Sequence, residues 1–447
     1  MHNSKTNFVK IIVFVLGFIL LNDLINFCFV PKGGYSRMTI REMYSQKENI
    51  DIAFIGASLT QKDINPYIID EKLGCTSFDY SFNAQIYTGT YYSLVELFKY
   101  HKPKTVVLTT EPLSYTCKEE QPLAQLSVSM YMKPSVNRIK FYFGMAQDGS
   151  YLDRLFAWRG YHIDSKKELV KNIKDKLDEE YIKYPQDKKL EYYKTKKSGY
   201  IGKGAVLKDA EGNTIDYNKL GKISIEERYK VEEIQEKNVK YLGKIAKLCK
   251  ENDSKLILIT TPFPRFEVLR SSNYFEFDNE VKRIADEFGI EYYNYNLIKP
   301  EFFDYKDEYF FDHLHLNNVG ATEFSKSLAE FLKLRDSGEN MNKYFYSKDE
   351  FYDSLTDISN TWFDLKKGKT TIKVIAGSLY SPSITPEYRF ILKDLESGEE
   401  KIIQDYSTNN QCGIKLKKGK EYEVKLEART QGIKDSKIRK YSEKVKL

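Results

Sequence analysis

The chain has 447 residues, more than one hydrophobic core usually organises, so the sequence predicts two domains. A hydrophobic content of 41% and a charged content of 30% exclude a disordered chain. The net charge of +6 comes from 70 basic and 64 acidic residues dispersed along the sequence, which argues against a nucleic-acid-binding groove. The five cysteines are widely spaced and form no CxxC pair, so neither a metal site nor a disulfide framework is indicated.

The first element is the apolar segment FVKIIVFVLGFILLNDLINFCFV, which runs from Phe8 to Val30. A helix of about 20 apolar residues suffices to cross a bilayer. A central acidic residue costs about 2.5 to 3.5 kcal/mol on an insertion scale, and the many Leu, Ile, Phe and Val residues offset Asp23. No small-x-small cleavage site follows, so we expect an uncleaved transmembrane anchor, with a cleaved signal peptide as the alternative. Basic residues flank both ends and leave the orientation open; we expect the large domains outside the cytoplasm.

Strand and helix patterns then alternate, mostly with short connections. The strand at 51–56 is followed by a helix that Asn65 caps, that Pro66 begins and that Gly74 ends. The other predicted elements are strands at 76–82, 104–110, 255–262 and 291–295 and helices at 90–101, 232–252, 278–289 and 320–334. This order predicts a flavodoxin-like three-layer α/β domain over 45–335, with a parallel sheet between two layers of helices. Ligands of such sheets bind beyond the carboxyl ends of the strands.

A polar, lysine-rich insertion at about 112–228 interrupts the alternation, and insertions of this size often form a lid or a substrate wall. Its aromatic and basic residues face a glycan in one interpretation and pack inward from an amphipathic helix in the other. These residues are Arg154, Trp158, Arg159, Tyr161 and His162. Beyond the α/β domain, short alternating segments and the turn sequence ESGEE predict an immunoglobulin- or fibronectin-like β-sandwich at 340–447.

The stretch DIAFIGASLT (51–60) ends a buried strand on Gly56 and presents Ser58 at the carboxyl edge of the sheet. One interpretation is a plain turn, and the other is a nucleophile. A serine becomes a nucleophile when a histidine takes its proton and a carboxylate orients that histidine. The segment YFFDHLHLNNVGATEFS (309–325) supplies Asp312 and His315 in a DxxH spacing. Alone, DxxH is a weak signal, and a solvated loop is its alternative.

Together, the glycine–serine turn after the first strand and the DxxH before the last helix resemble the SGNH (GDSL-like) hydrolase superfamily. The resemblance covers about 45–335, outside the insertion, and implies that Ser58 is the nucleophile, His315 the general base and Asp312 the orienting acid. His313 has no counterpart in the family and is expected to be a surface or supporting histidine.

The resemblance also implies an oxyanion hole. The stretch DYSFNAQ (79–85) places Ala84 where the family has a glycine, so the amides of Ser58 and Ala84 are the expected donors. The family's third donor is an asparagine, which LTTEPLSY (108–115) lacks; Thr110 and Asn83 are the candidate substitutes. One such donor contributes about 2.7 to 4 kcal/mol, so weakened hydrolysis is expected while acyl transfer to a sugar stays open. Gln85 and Tyr87 are expected to line the cleft, and Glu111 is either a buried acid near it or a loop-end residue.

The chain looks most similar to anchored extracytoplasmic members of the superfamily, which include proteins of teichoic-acid D-alanylation and of alginate or peptidoglycan O-acetylation. The resemblance implies a cell-envelope polysaccharide as substrate, a membrane-bound O-acyltransferase as partner, and no metal or organic cofactor. We therefore expect a membrane-tethered serine esterase or O-acyltransferase. The alternative is a catalytically inactive surface protein of the same fold that binds envelope glycan. Phosphate binding at the Gly56 turn is disfavoured, because IGASLT has neither GxGxxG spacing nor a P-loop lysine.

Overall fold

The structure, a computed structural model, describes residues 2–30, 35–118, 128–145, 156–160, 163, 165–178, 199–211, 215 and 230–446. For residues 2–6, 157 and 160 it describes the backbone alone.

The chain begins with a single long helix, α1 (His2–Phe29). Its segment Asn7–Phe29 is long and apolar enough to cross a membrane, with a mean hydropathy of 2.4. The apolar side chains of this segment face outward, and Phe14, for example, is 73% exposed. The predicted apolar helix is therefore present, in a form that both a membrane anchor and a signal sequence would take.

An α/β unit follows. Its strands are β1 (Ile52–Ile55), β2 (Ser77–Asp79), β3 (Thr105–Thr110), β4 (Gly199–Gly202), β5 (Ala205–Leu207), β6 (Lys255–Thr260) and β7 (Glu291–Asn294). Its described helices are α2 (Ser36–Ser45), α3 (Ser58–Asp63), α4 (Pro66–Leu73), α5 (Tyr87–Leu97), α6 (Pro112–Thr116), α7 (Val136–Gly144), α8 (Lys166–Leu177), α9 (Glu236–Glu251), α10 (Arg265–Arg270), α11 (Tyr274–Glu287) and α12 (Asn318–Asp336).

Five of these strands form one parallel sheet in the order β2-β1-β3-β6-β7. One apolar cluster joins the sheet to α5, α9 and α11, through Leu94, Leu242 and Val281 among others. A second cluster joins the other face to α4 and α12, through Ile69 and Phe324 among others. The predicted three-layer α/β arrangement is confirmed. From β1 the chain continues to β2 on one side of the sheet centre, and from β3 it continues to β6 on the other side. The strand order therefore reverses between β1 and β3, and sheets of this kind have a ligand-binding crevice at such a switch point.

Local signals set several boundaries correctly. The side chain of Asn65 caps α4 by accepting a hydrogen bond from the Tyr67 amide at 3.1 Å, and Gly74 ends the helix in the left-handed conformation. Other boundaries differ from the expectation: β2 is only three residues long, and α5 begins at Tyr87 rather than at residue 90. Residues 80–82 still run beside the end of β1, since the amides of Tyr80 and Phe82 donate to the carbonyls of Phe54 and Gly56.

The described parts of the insertion pack in three places. Helix α7 lies on α5, where Asn137 donates to the Tyr92 carbonyl at 3.0 Å. The hairpin β4–β5 lies beside β2, where the Asp79 amide donates to the Lys203 carbonyl at 2.8 Å. Helix α8 and a short 3-10 turn (Ala157–Gly160) contact α1.

The contact with α1 is polar as well as apolar. Asn172 of α8 donates to the carbonyls of Cys28 and Val30 at 2.8 and 2.9 Å, and Lys176 donates to the Phe27 carbonyl at 2.6 Å. These side chains satisfy carbonyl groups that the end of a helix leaves without an intrahelical partner. The Trp158 amide and indole N–H donate to Asn26 and Asn22 at 3.1 and 3.3 Å. Trp158, Asn172 and Lys176 of the insertion thus hold the end of α1, and we call this set of contacts the clasp.

The C-terminal part begins with helix α13 (Lys348–Ser354) and continues as two antiparallel sheets. Its strands are β8 (Asn360–Lys367), β9 (Thr371–Leu379), β10 (Pro386–Asp394), β11 (Glu400–Ser407), β12 (Gln411–Lys415), β13 (Glu421–Thr430) and β14 (Arg439–Lys446). The sheets have the orders β12-β9-β8 and β11-β10-β13-β14, and they enclose one apolar core. The ESGEE turn joins β10 to β11, as predicted. The sandwich meets the α/β unit at Asp307, which forms ion pairs with Lys437 and Arg439 of 2.5 and 2.6 Å.

Candidate active site

Ser58 lies where the sequence places it, at the carboxyl edge of the sheet and beside the switch point. Strand β1 ends at Ile55, and Gly56 takes a φ of +149° that permits an abrupt turn into α3. A Cβ at Gly56 would overlap the hydroxyls of Thr60 and Thr109, so the turn also needs the absence of a side chain. Ser58 is the first residue of α3, and it is partly exposed.

Ser58, His315 and Asp312 form one chain of hydrogen bonds. The Ser58 Oγ lies 2.8 Å from His315 Nε2, although 257 residues separate them in sequence. The other ring nitrogen, Nδ1, lies 2.9 Å from Oδ2 and 3.0 Å from Oδ1 of Asp312. Asp312 also accepts hydrogen bonds of 2.8 Å from the backbone amides of Leu314 and His315, which fix its orientation. The structure therefore brings together the three residues on which the nucleophile hypothesis depends.

The electrostatics of this chain favour a neutral histidine beside an ionised aspartate. Burial alone would raise the pKa of Asp312, but the hydrogen bond and charge of His315, with the two amides, lower it to about 2. Burial lowers the pKa of His315 below its usual 6.5; the hydrogen bond that its Nδ1–H donates to Asp312 opposes this lowering, and the charge of Lys62 adds to it. At neutral pH the Nδ1 proton then faces Asp312, and the Nε2 lone pair faces the Ser58 hydroxyl.

The helix of Ser58 is tied to the segment of His315 by Asp63. The Asp63 Oδ1 accepts a hydrogen bond from the Leu316 amide at 2.9 Å, and the carboxyl is fully buried. Burial raises the pKa of Asp63, with the Leu316 hydrogen bond and the charge of Lys62 opposing. The last residue of α3 therefore holds the residue next to the imidazole.

The candidate oxyanion donors differ in their placement. Ala84 has a φ of +53°, the left-handed conformation that a glycine adopts easily, so its backbone takes an angle unusual for alanine. Asn83 is exposed. The Thr110 hydroxyl is buried and lies 2.6 Å from the Tyr87 hydroxyl, so it is engaged inside the fold. The donor roles of Ser58, Ala84, Asn83 and Thr110 stay predictions.

The residues expected to line the cleft lie elsewhere or outside the described residues. Gln85 and Tyr87 are each 2% exposed, and Gln85 donates to the Ser93 hydroxyl at 2.8 Å, so both pack inside the protein. Trp158 is partly buried against α1. His313 is exposed, in agreement with its expected place at the surface. Arg154, Tyr161 and His162 lie outside the described residues.

Glu111 is a buried acid, which was one of its two expected readings. It follows β3 directly and is 9% exposed. Burial raises its pKa to about 7, and the positive charge of Lys62 opposes this shift. Much of Glu111, which directly follows β3, is therefore protonated at neutral pH.

Sequence reasoning missed two residues beside the imidazole and a third that lies next to one of them. Lys62 Nζ lies 3.3 Å from His315 Nε2, and the Phe311 ring stacks on the imidazole with a centroid separation of 5.4 Å. Lys208 Nζ lies 5.7 Å from the centroid of the same Phe311 ring. The signal for Lys62 was its spacing, because a residue four positions after Ser58 in a helix lies on the same face. Among the described residues, no group of three or more His, Cys, Asp or Glu side chains is placed to hold a metal ion.

Comparisons with known proteins give structural likenesses only. No protein-family model and no curated protein matches the sequence. An acetyl xylan esterase is 13% identical with a TM-score of 0.29, and the match covers 63% of this chain and 98% of that one. A mutant of an acetyl-xylooligosaccharide esterase from Geobacillus is 11% identical with a TM-score of 0.28, covering 68% and 100%. A two-domain esterase active on acetylated mannans is 10% identical with a TM-score of 0.28, covering 93% and 95%. These TM-scores are low, so the interpretation of the site rests on its own geometry.

Proposed function

We propose that this protein is a membrane-tethered extracytoplasmic serine esterase or O-acyltransferase that acts on acyl groups of a cell-envelope polysaccharide. The observation that carries the proposal is the hydrogen-bonded chain from the Ser58 hydroxyl through His315 to Asp312, with distances of 2.8 and 2.9 Å. A neutral imidazole with its free lone pair toward a serine hydroxyl is the arrangement that nucleophilic catalysis needs.

The reaction proceeds in two steps. The Ser58 Oγ attacks the acyl carbonyl while its proton passes to His315 Nε2, and the tetrahedral intermediate then expels the alcohol, which takes that proton. The product is an acyl ester of Ser58. Water or a second sugar hydroxyl then gives its proton to Nε2 and attacks the ester. The bond from the acyl carbon to the Ser58 Oγ breaks, and the Oγ takes the proton back from Nε2, which restores Ser58 and the neutral imidazole. Asp312 stays ionised and stabilises the imidazolium in both steps.

The oxyanion of the intermediate is assigned to the backbone amides of Ser58 and Ala84. The left-handed backbone of Ala84 supports this assignment, because the family places a glycine there. Without an asparagine after β3, stabilisation of the intermediate is weaker by about the 2.7 to 4 kcal/mol of one donor.

The membrane tether is proposed because the clasp leaves α1 partnered to the rest of the protein. Removing α1 as a signal peptide would take away the partners of Asn172, Lys176 and Trp158 together. Each hydrogen bond of this kind contributes about 0.5 to 1.5 kcal/mol, so the folded protein is more stable with α1 in place. The polysaccharide substrate and a membrane-bound O-acyltransferase as partner are proposed from the family resemblance.

A fluorophosphonate probe tests the proposal on the full chain in detergent. We expect covalent labelling that the Ser58→Ala change abolishes and that the Ser114→Ala change, at a serine of α6, leaves intact. A folded protein that no probe labels would overturn the enzymatic proposal and favour an inactive glycan-binding protein. Mass analysis of envelope glycans from cells with wild-type and Ser58→Ala protein then shows which acyl group changes.

A further inference from the structure

Lys62 brings a positive charge to the proposed reaction centre. It lies one helical turn after Ser58 on α3, and its Nζ is 3.3 Å from the Nε2 atom that also faces the Ser58 hydroxyl. Its side chain is partly buried. Within the described part of the chain, no carboxylate lies at ion-pair distance from the Lys62 ammonium, although Asp312, Asp63 and Glu111 attract it from farther away.

Lys208 brings a second charge to the same place from a different element. It follows β5, and its backbone is held at the start of α12, because the Asn318 amide donates to the Lys208 carbonyl at 2.5 Å. The ammonium groups of Lys62 and Lys208 each lie 5.7 Å from the centroid of the Phe311 ring, which stacks on His315. No ion pair of Lys208 is found among the residues that the structure describes.

The nearby acids are committed elsewhere. Asp312 binds the imidazole and two backbone amides, and Asp63 is buried against the Leu316 amide. Burial raises the pKa of Glu111 to about 7, so much of it carries no charge at neutral pH. The two ammonium groups therefore leave positive charge for a ligand.

The position of Lys62 determines which part of an ester it meets. The leaving oxygen takes its proton from Nε2, so it lies about 3 Å from that atom in the reaction. Because Lys62 Nζ lies 3.3 Å from the same atom, the ammonium lies within about 6 Å of the leaving oxygen. That oxygen belongs to the alcohol part of the ester. A charged group one or two carbon atoms from the acylated hydroxyl would then contact Lys62.

We propose that Lys62 and Lys208 form an anion subsite for the alcohol part of the ester, so that the preferred glycan carries a carboxylate or a phosphate next to its acylated hydroxyl. This inference rests on the function proposed above and specifies its substrate class. An anion bound at the subsite attracts the Lys62 ammonium away from His315 Nε2. The lone pair of Nε2 is then available to the Ser58 hydroxyl alone. A neutral substrate does not attract the Lys62 ammonium away from Nε2.

Four small esters of similar size test the subsite with the full chain. Phenyl acetate is neutral, 3-acetoxybenzoate carries a carboxylate on its alcohol part, 3-acetoxyphenyl phosphate carries a phosphate there, and monophenyl succinate carries a carboxylate on its acyl part. The measurement is kcat/KM, divided for each ester by its rate of hydrolysis by hydroxide. We expect the two esters with charged alcohols to exceed the other two by about tenfold or more, and the better of them identifies carboxylate or phosphate as the preferred group.

Variants assign the preference to the two lysines. Lys62→Met and Lys208→Met are each expected to lower the ratio of kcat/KM for the charged-alcohol esters to that for phenyl acetate. Lys326→Met, at an exposed lysine of α12, is the matched control and keeps the wild-type ratio. Equal kcat/KM values for all four esters, or an unchanged ratio in both lysine variants, would overturn the subsite. If the wild type hydrolyses no ester in a Ser58-dependent way, the proposed function itself fails, and the subsite fails with it.

Discussion

The carboxylate of Asp63 and the backbone amide of Leu316 are joined by a buried hydrogen bond of 2.9 Å. This bond connects the helix that begins with Ser58 to the residue that follows His315. Because the two segments are far apart in sequence, the distance between the hydroxyl and the imidazole depends on tertiary contacts such as this one. The bond makes Asp63 a positioning residue for the proposed reaction.

We therefore expect Asp63→Ala to weaken both the fold and the reaction. The change leaves the Leu316 amide buried without its acceptor, which costs about 1 to 3 kcal/mol of unfolding free energy. Asp63→Asn keeps an acceptor oxygen for the Leu316 amide, so it is expected to stay closer to the wild type than Asp63→Ala. Urea unfolding measures the stability, and kcat/KM on an aryl ester measures the positioning. Equal losses in the two variants would contradict this role.

The two neighbouring histidines offer a matched pair. His315→Gln removes the proposed base and is expected to lower kcat by about three to four orders of magnitude, whereas His313→Gln changes an exposed side chain and leaves kcat near the wild-type value. Asp312→Asn is expected to fall close to His315→Gln, because an amide no longer stabilises the imidazolium. Steady-state kinetics with a chromogenic ester decides the matter. Similar losses in both histidine variants would disprove the assignment of His315.

The acid limb of the pH profile reports the ionisation of His315. Burial lowers the pKa of this imidazole, and only its neutral form accepts the serine proton, so kcat/KM should hold down to a pH below 6.5 and then fall. Lys62 adds to the lowering through its positive charge. Lys62→Met removes that charge and favours the imidazolium, so its acid limb should move to higher pH. A limb that moves to lower pH, or not at all, would show that Lys62 does not act on the imidazole.

Glu111 makes stability depend on pH. Its pKa rises from 4.5 when exposed to about 7 in the folded protein, so the folded state binds a proton more tightly than the unfolded state. The contribution of Glu111 to the free energy of unfolding is greatest below pH 4.5. It is lost as the pH rises through 7, and the loss is at most about 3 kcal/mol. Glu111→Gln removes the loss, so unfolding in urea should show the variant gaining on the wild type between pH 5 and pH 8. A parallel dependence in both proteins would contradict the shift.

The fold was largely predictable because its signals are local. Asn65, Pro66 and Gly74 mark the two ends of α4 through contacts within a few residues. The β-sandwich was visible for a similar reason: along β13, buried and less buried residues alternate, as one face packs on the core. The two residues of the DxxH loop lie within one turn of chain, so their contact needed little beyond their spacing.

The site was less predictable because much of it depends on distant contacts. Gln85 and Tyr87 follow Ala84 closely, but the start of α5 turns both into the core, and no periodic pattern before that helix shows it. Lys208 reaches Phe311 through a hairpin inside the insertion, and Trp158 pairs with α1 across more than a hundred residues. Such contacts follow from tertiary packing and leave no local trace in the sequence.

The clasp on α1 has a consequence for an anchored enzyme. A long flexible linker after the membrane helix would let the catalytic domain reach polymers at many distances from the membrane. Here Asn172 and Lys176 grip the carbonyl end of the helix, while Trp158 is bonded to its flank. A bilayer that holds α1 would then also set the orientation of the attached α/β unit, and Ser58 would lie at a fixed distance from the membrane surface. Only polymer segments that reach this distance from the membrane surface would be modified.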